Sequence, residues 1–396
     1  MRTDPSAGGR PPGKFRVVDF SRVLAGPWAS QHLADQGADV VKVEPPGGDE
    51  TRSFGPFVGA EGAHSTYFVS CNRNKSSIVL DLRTPAGREV ARDLVGTADV
   101  LLHNWRPGVA ERFGLGWDDL RGANPGLVYV CISAFGSGSS RAGYDLVLQA
   151  MGGAMSFTGF PGNPPVRAGT PVADLVAGLL ATQAALHGLL HRATTGEGQR
   201  IEVNMMQAQA ASLVYHFSRY TMTGEVEEAR GSAHRGLVPY DVFRCADGWL
   251  AVACGNDGLW QKLRGTLGLP DLPEWRTNRG RLEARAAVDQ SLTDALSRWT
   301  VARADVALSE AGVPVGPVLG VGEVAAHPAV SPITVQDPDL GPVTLAGPTL
   351  HTATTVQAHR PAPGLGVNRD AILAELGYDA ERVTALGRAG AFGGEG

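Results

Sequence analysis

Two apolar rhythms alternate along the first two hundred residues. Phe15–Phe20 (FRVVDF) and Ala38–Glu44 (ADVVKVE) are short, β-branched runs that read as strands. Between them Trp28–Asp35 carries helical spacing, with Leu24-Ala25-Gly26-Pro27 as the turn before it and Gly37 as the stop. Strand, helix and strand within ~30 residues form a βαβ unit, which predicts a parallel sheet. The pattern recurs. A helix opened by Thr84-Pro85 runs to Thr97, a strand covers Asp99–His103, a short helix follows Pro107, and Leu127–Ser133 is another strand. This is the signature of a doubly wound α/β domain.

Pro171 opens the most apolar helix, ending near Arg192; it is hydrophobic on most faces and is expected to be buried. Arg200–Asn204 reads as a strand and Gln207–Thr223 as one long connecting helix. Residues 15–224 are therefore assigned to a large domain. From Glu225 to Arg235 the chain turns polar, a linker, and then come strands at Val238–Phe243 and Trp249–Ala253 and helical patterns to Ala311. Residues 225–330 read as a smaller α+β domain. Residues 331–396 return to a turn-rich stretch and a final helix, Arg369–Leu376. The Gly/Pro-rich residues 1–14 and the glycine-rich C-terminal tail are expected to be mobile.

Composition narrows the function. Lysine plus arginine number 35 against 40 acids, a formal charge of -5, which gives no basic footprint for nucleic acid. The four cysteines form no CxxC and the ten histidines no HExxH, so neither a disulfide framework nor a metal site is expected. No secretory h-region and no run near the ~20 apolar residues of a membrane span stand out, so a cytoplasmic protein is expected.

Cofactor fingerprints are missing as well: there is no GxGxxG, GxxxxGK[ST] or GxSxG. Asp174 is the most interesting acid. It lies in the first turn of the apolar helix, where the dipole favours the ionised form. Gly178 follows on the same face and would leave space beside the carboxylate. From spacing alone Asp174 is either a helix-dipole complement or a nucleophile or base. Lys42 and Lys75, with Arg52, Arg73, Arg106, Arg112 and Arg141, are either a phosphate patch at the strand ends or ordinary surface charge. The Gly136–Gly143 loop before Tyr144-Asp145 is either a close-approach loop or a plain connection. His103, His187 and His191 sit beside apolar runs and read as packed or hydrogen-bonded histidines.

In order and spacing, several segments together resemble the class III CoA-transferase (CaiB/BaiF) family, which includes formyl-CoA transferase and α-methylacyl-CoA racemase. The carrying motifs are Asp19-Phe-Ser-Arg-Val-Leu-Ala-Gly-Pro27, Gly37-Ala-Asp-Val-Val-Lys-Val-Glu44, Gly48-Asp-Glu-Thr-Arg52, Asn74-Lys-Ser-Ser-Ile-Val-Leu-Asp-Leu82, Asn104-Trp-Arg-Pro-Gly108 and Gly169-Thr-Pro-Val-Ala-Asp174. Gly198-Gln199, Pro239-Tyr240, Asp247-Gly248, Gly316-Pro-Val318 and Gly347-Pro348 extend the match.

The resemblance implies a Rossmann-like large domain built from both chain ends, a smaller α+β domain and an interlocked homodimer. It implies an acyl-CoA:carboxylate CoA-transferase with coenzyme A as substrate, a carboxylic acid acceptor and no tightly bound cofactor. The family nucleophile falls on Asp174, which would form a covalent aspartyl intermediate, with Tyr144 and Asp145 beside it. Leu24, Ala25, Lys42, Asn74, Lys75, Asn104, Trp105, Arg112 and Met205 match the CoA site, and Lys75 and Arg112 would meet phosphates. The alternative, a 2-methylacyl-CoA racemase, departs at Gly143-Tyr144-Asp145. Racemases of the family have Gly-His-Asp there, and tyrosine, with a pKa of about 10, is a poor base. The glycine run of formyl-CoA transferase has only Gly231-Ser-Ala-His-Arg-Gly236 as a counterpart, and Pro45 stands in place of an arginine near the adenine. Arg141, Arg167 and Arg235 are candidates for an acceptor carboxylate.

Overall fold

The computed structural model describes residues 14–352 and 358–393, so most of the expected N-terminal tail and the last three residues lie outside the described residues. The chain divides into two compact units. The larger takes the residues up to Met155, Arg167–Val226 and Ser331 onward; the smaller takes Ser156–Val166 and Glu227–Val330.

The larger unit is built on six strands: β1 (Arg16–Asp19), β2 (Asp39–Glu44), β5 (Ser76–Val79), β6 (Val100–His103), β7 (Val128–Ser133) and β8 (Gln199–Asn204). A two-residue pair, β3 (Phe57–Val58) and β4 (His64–Ser65), stands apart as its own ribbon. The sheet order is β5-β2-β1-β6-β7-β8, and every pairing is parallel. Counted within the sheet this is 3-2-1-4-5-6, the Rossmann order, with its switch point between β1 and β6.

Alternation along the strands divides the core. Val18, Val41, Leu101 and Tyr129 face α3 (Pro85–Gly96) together with Ile372 and Leu373 of the C-terminal α15 (Arg369–Glu375). Val17, Val40, Val100 and Val128 face α1 (Ala25–Asp35) and α7 (Val172–Thr195). Period two thus makes a two-sided sheet of strands that read as plain apolar runs. Between α1 and α3 lie α2 (Thr66–Ser70) and a 3₁₀ turn, Glu50–Ser53. Then come α4 (Val109–Arg112), α5 (Trp117–Leu120) and α6 (Asp145–Met151).

Four expectations change. First, α1 begins at Ala25 rather than Trp28: the Leu24–Pro27 segment is its first turn, where the missing N–H of Pro27 costs nothing. Second, α7 is not buried all round. Its Ala173, Ala177, Gly178, Ala181, Ala184, Ala185 and Gly188 are buried, whereas Leu179, Leu186 and Leu190 are exposed. By length and hydropathy alone it could also cross a membrane, contrary to the composition reading; its small-residue face is instead packed into the core. Third, the long helix after β8 is two helices, α8 (Met205–Ser212) and α9 (Tyr215–Thr223), broken where Val214 takes φ +47°. A β-branched residue there cannot continue a helix. Fourth, Arg369–Glu375 is followed by α16 (Ala380–Arg388), and a hairpin of β12 (Pro332–Asp337) and β13 (Gly341–Ala346) occupies the turn-rich return.

The smaller unit is an antiparallel sheet of order β11-β10-β9, from β9 (Tyr240–Arg244), β10 (Trp249–Ala253) and β11 (Val315–Pro317). Its helices are α10 (Asp257–Leu267), α11 (Asn278–Glu283), α12 (Arg285–Leu296), α13 (Val301–Glu310) and α14 (Val321–Ala325). Trp260, Leu263, Val288, Leu292 and Leu308 close over Phe243 and Leu250. The buried Arg281 ties this core together through the carbonyls of Val238 and Trp275 and the carboxylate of Asp257.

Candidate active site

In an open parallel sheet the crevice forms where neighbouring strands send their connections to opposite faces. Here those connections are Ser21–Leu24 after β1 and Asn104–Arg106 after β6. They meet in two adjoining cavities that share Arg22, Glu50, Trp105, Arg106 and Tyr144. The first, about 170 Å³, is lined by Leu24, Ala25, Asn104, Trp105, Ser139, Arg141, Tyr144, Asp174 and Met205 among others. The second, about 620 Å³, is lined by Phe20, Pro45, Pro46, Gly47, Arg83, Arg106, Arg112 and Phe113. Most of the residues singled out in the sequence thus converge from distant parts of the chain.

The α7 N-terminus presents Asp174. Pro171, its N-cap, has no side-chain acceptor, and the cap comes from elsewhere. Asp145 Oδ1 accepts the Ala173 N–H at 2.9 Å, and Asp145 Oδ2 accepts from Gln149 Nε2 at 2.6 Å. The buried Gln149 in turn accepts the Ala168 N–H at 2.9 Å. Asp145 therefore lies behind the cavity wall, as the acid that seats the helix, and does not line either cavity.

Asp174 itself has no hydrogen-bond donor among the described residues. Burial, helped by the negative charge of Asp145, raises its pKa to about 7. Burial thus opposes the ionised form that the helix start favours. The expected gap at Gly178 is not open either. A Cβ there would stand 2.8 Å from the Ala25 carbonyl oxygen and 2.9 Å from Trp28 Cε3. The glycine serves close approach of α7 to α1, which brings Asp174 to the Leu24–Ala25 turn.

That turn is strained and heavily tied down. Val23 adopts φ +68°, a conformation costing a β-branched residue about 1–3 kcal/mol. Asn104 holds Arg22 on both sides: Arg22 N–H donates to its Oδ1 at 2.9 Å and its Nδ2 donates to Arg22 O at 2.7 Å. Asp49 Oδ1 accepts the Val23 N–H at 3.2 Å, and Asp19 Oδ1 accepts the Ser21 N–H at 2.8 Å.

Lys42 and Lys75 lie beneath this turn, and neither reading made from the sequence fits them. Both are fully buried and line neither of these two cavities. Lys42 Nζ donates to Ser21 O at 3.0 Å and pairs with Asp49 at 2.8 Å. Lys75 Nζ is surrounded by Pro27 O at 2.7 Å, Asn72 Oδ1 at 2.8 Å and Asp19 Oδ2 at 3.4 Å. All three ammonium hydrogens have acceptors, which leaves none for a phosphate. Burial drives Lys75 down to about 8 against the pull of Asp19; the surrounding acceptors are those an ammonium needs. Asn74 is likewise internal, bonded to Asp35 and to the Arg360 N–H. Arg112 does reach the second cavity, with its guanidinium 5.4 Å from the Phe113 ring centroid. Of the three acceptor-site arginines, Arg141 lines the Asp174 cavity and packs over Phe135, its guanidinium 5.1 Å from the ring centroid. Arg167 is tied to the carbonyls of Ala168 and Gly169, and Arg235 pairs with Glu227 in the smaller unit.

One residue was missed. Tyr67, on α2, is pushed up to about 12 by burial and then by the charge of Asp174, which places its hydroxyl in the field of the candidate nucleophile. No spacing marks it in so short a helix. A grouping of His64, Asp337 and Asp339 could offer three ligand atoms to a cation. His64 is already paired with Asp339 at 3.2 Å, and Asp337 Oδ1 is spent on the N–H groups of Asp339 and Leu340.

A crevice at the switch point of a Rossmann sheet, walled by arginines and holding a desolvated aspartate, suits an anionic thioester more than a dinucleotide. Comparison agrees. Residues 14–369 match the family model described as CoA-transferase family III, and the chain belongs to that family. The chain is 38% identical to the succinate–glutarate CoA-transferase of Agrobacterium fabrum, over 91% of this chain and 94% of that one. It is 35% identical to the human succinyl-CoA:glutarate CoA-transferase, over 95% and 88%. The crystal structure of a CaiB/BaiF family protein from Brucella suis superposes with a TM-score of 0.80 at 36% identity, covering 91% of this chain and 98% of that one. The protein is thus an enzyme that transfers CoA.

Proposed function

We propose that this enzyme moves CoA between two carboxylic acids through a covalent intermediate on Asp174. The observation that carries the reading is a carboxylate without a hydrogen-bond donor among the described residues, half-buried in the cavity at the strand ends. The ionised Asp174 attacks the thioester carbonyl, forming a mixed anhydride and releasing CoA thiolate. The thiolate attacks the aspartyl carbonyl, forming an aspartyl-CoA thioester and freeing the donor carboxylate. The acceptor carboxylate attacks that thioester, forming a second anhydride and releasing the thiolate again. The thiolate then takes the new acyl group and restores Asp174. A poorly solvated carboxylate has no water shell to shed, and the positive end of α1, with no acid in its first turn, opens toward the cavity. The larger cavity, with Arg83, Arg106 and Arg112, would take the phosphates.

The named relatives act on succinate and glutarate, so short dicarboxylic acids are the substrates proposed here, with Arg141 available to a second carboxylate. A homodimer is proposed as well, because Leu186 and Leu190 of α7 and Phe217 and Tyr220 of α9 are left exposed in the single chain. The described lining of the cavity has Tyr144 and no histidine, which favours transfer over racemisation. The test is intact-protein mass after exposure to succinyl-CoA and glutaryl-CoA, with hydroxylamine cleavage and peptide mapping. A CoA adduct on the Asp174 peptide is expected. Deuterium exchange at the α-carbon without any adduct would defeat the reading.

A further inference from the structure

His103 ends β6 and is followed at once by Asn104, Trp105 and Arg106, which all line the Asp174 cavity. Its ring is buried, and both nitrogens are engaged. Nδ1 lies 3.2 Å from the Trp105 N–H, and a backbone N–H can only donate, so Nδ1 accepts and the ring proton is on Nε2. Nε2 then donates to the Tyr129 hydroxyl at 2.9 Å, and that hydroxyl donates to the Leu115 carbonyl at 3.1 Å. Every group in this chain is satisfied in one protonation state. Burial, with the charge of Arg200 adding to it, pulls the imidazole down to about 3, so it cannot serve as a base.

The same ring stacks on Trp105, with centroids 5.0 Å apart and planes at 28°. Phe20 and Phe113 close on the indole at 5.1 and 5.8 Å. Next to it, Asn104 holds the backbone of Arg22 through two hydrogen bonds, and so bears on the strained Val23. Trp105 belongs to the walls of both cavities. A single imidazole therefore ties the partition between the cavities to the neighbouring strand β7.

We propose that His103 is a positioning residue for acyl-CoA: with its proton on Nε2 it joins the Asn104–Trp105 corner to Tyr129 and so sets the shelf on which the thioester lies. This rests on the reading that the two cavities take acyl-CoA.

The experiment measures the CoA dissociation constant by calorimetry, alongside KM and kcat, on the full chain. His103→Phe keeps the ring and its stacking but leaves the Trp105 N–H without an acceptor. It is expected to raise Kd and KM about 10-fold, the scale of a lost buried hydrogen bond, with kcat within about twofold. His103→Asn offers an Oδ1 to the N–H two residues on, and is expected to recover most of the affinity. A folded His103→Phe with unchanged Kd, a fall in kcat alone, or a His103→Asn as weak as His103→Phe would overturn the proposal. If His103→Phe does not fold, Tyr129→Phe decides: a raised Kd supports it and an unchanged Kd overturns it. Because Kd is read apart from turnover, a wild type that binds CoA yet forms no Asp174 adduct defeats the proposed route through Asp174 and leaves His103 to be judged on Kd. A wild type without affinity for CoA overturns both.

Discussion

Two groups of ionisable side chains in the larger unit are taken out of water, with opposite results. Under the first turn of α1, burial alone would raise the carboxyls of Asp19, Asp49 and Glu44. The ammonium groups of Lys75 and Lys42 and the guanidinium of Arg52 more than offset it, and all three carboxyls are held below their ordinary values. At the start of α7 burial acts on Asp174 in the same direction, but the charge that adds to it is the like charge of Asp145 rather than a cation, and its pKa rises to about 7. Partnering, rather than burial, separates the two. The paired layer holds a strained turn in place; the unpaired acid keeps its lone pairs for chemistry.

The largest effect should come from removing the unpaired acid. Asp174→Asn is expected to lower turnover by roughly 10⁴-fold or more, as loss of a nucleophile does, and to abolish the CoA adduct in the mass spectrum. Retention of both would end the distinction. Breaking the paired layer should cost stability instead. Lys42→Met strands the buried Asp49 and frees the Ser21 carbonyl, with an expected loss of about 3–5 kcal/mol in urea unfolding. A loss below about 1 kcal/mol would show that the layer behaves like a surface pair. Gly178→Ala forces a Cβ against Ala25 and Trp28, for an expected destabilisation of about 1–3 kcal/mol together with reduced turnover.

Smaller effects are read in pH. Activity requires ionised Asp174, so the acid limb of kcat/KM should have its midpoint near 7. Asp145→Asn removes the like charge while its Oδ1 can still cap α7, and the midpoint should move to lower pH. A midpoint that stays in place would remove Asp145 from the account. Because the folded pKa of Asp174 lies above its ordinary 3.8, the native state holds the proton more tightly between 3.8 and about 7. Stability from this group therefore falls as pH rises through that window and stays lower above it. Asp174→Asn should accordingly raise Tm above pH 7 and leave it unchanged below 3.8, followed by differential scanning calorimetry.

Much of the architecture was legible in the chain. β1, β2, β6, β7, β8, α3 and α7 follow the apolar periodicity, and the family was legible in the order of its motifs. The departures have particular causes. The Leu24–Pro27 segment looked like a turn because glycine and proline break helices in general, yet at a helix start they are tolerated. The break at Val214 was invisible because a β-branched residue in a left-handed conformation is imposed from outside the segment. Lys42 and Lys75 read as a phosphate patch or as surface charge because lysines are ordinarily solvated. Nothing local announces that Asp49 and Asp19 are waiting for them. Tyr67 was missed for the same reason: its nearness to Asp174 spans a hundred residues of chain.

The amino-acid sequence by itself determined the strand and helix periods, the absence of a dinucleotide fingerprint and the presence of an aspartate at a helix start. These are properties of neighbours in the chain, where spacing and side-chain type act directly. Only the tertiary structure decided which charges are neutralised, which face of α7 is buried, and which acid is left without a partner. Those outcomes depend on distances between segments that the chain brings together, because the strength of an electrostatic interaction depends on separation and on access to water rather than on position along the sequence.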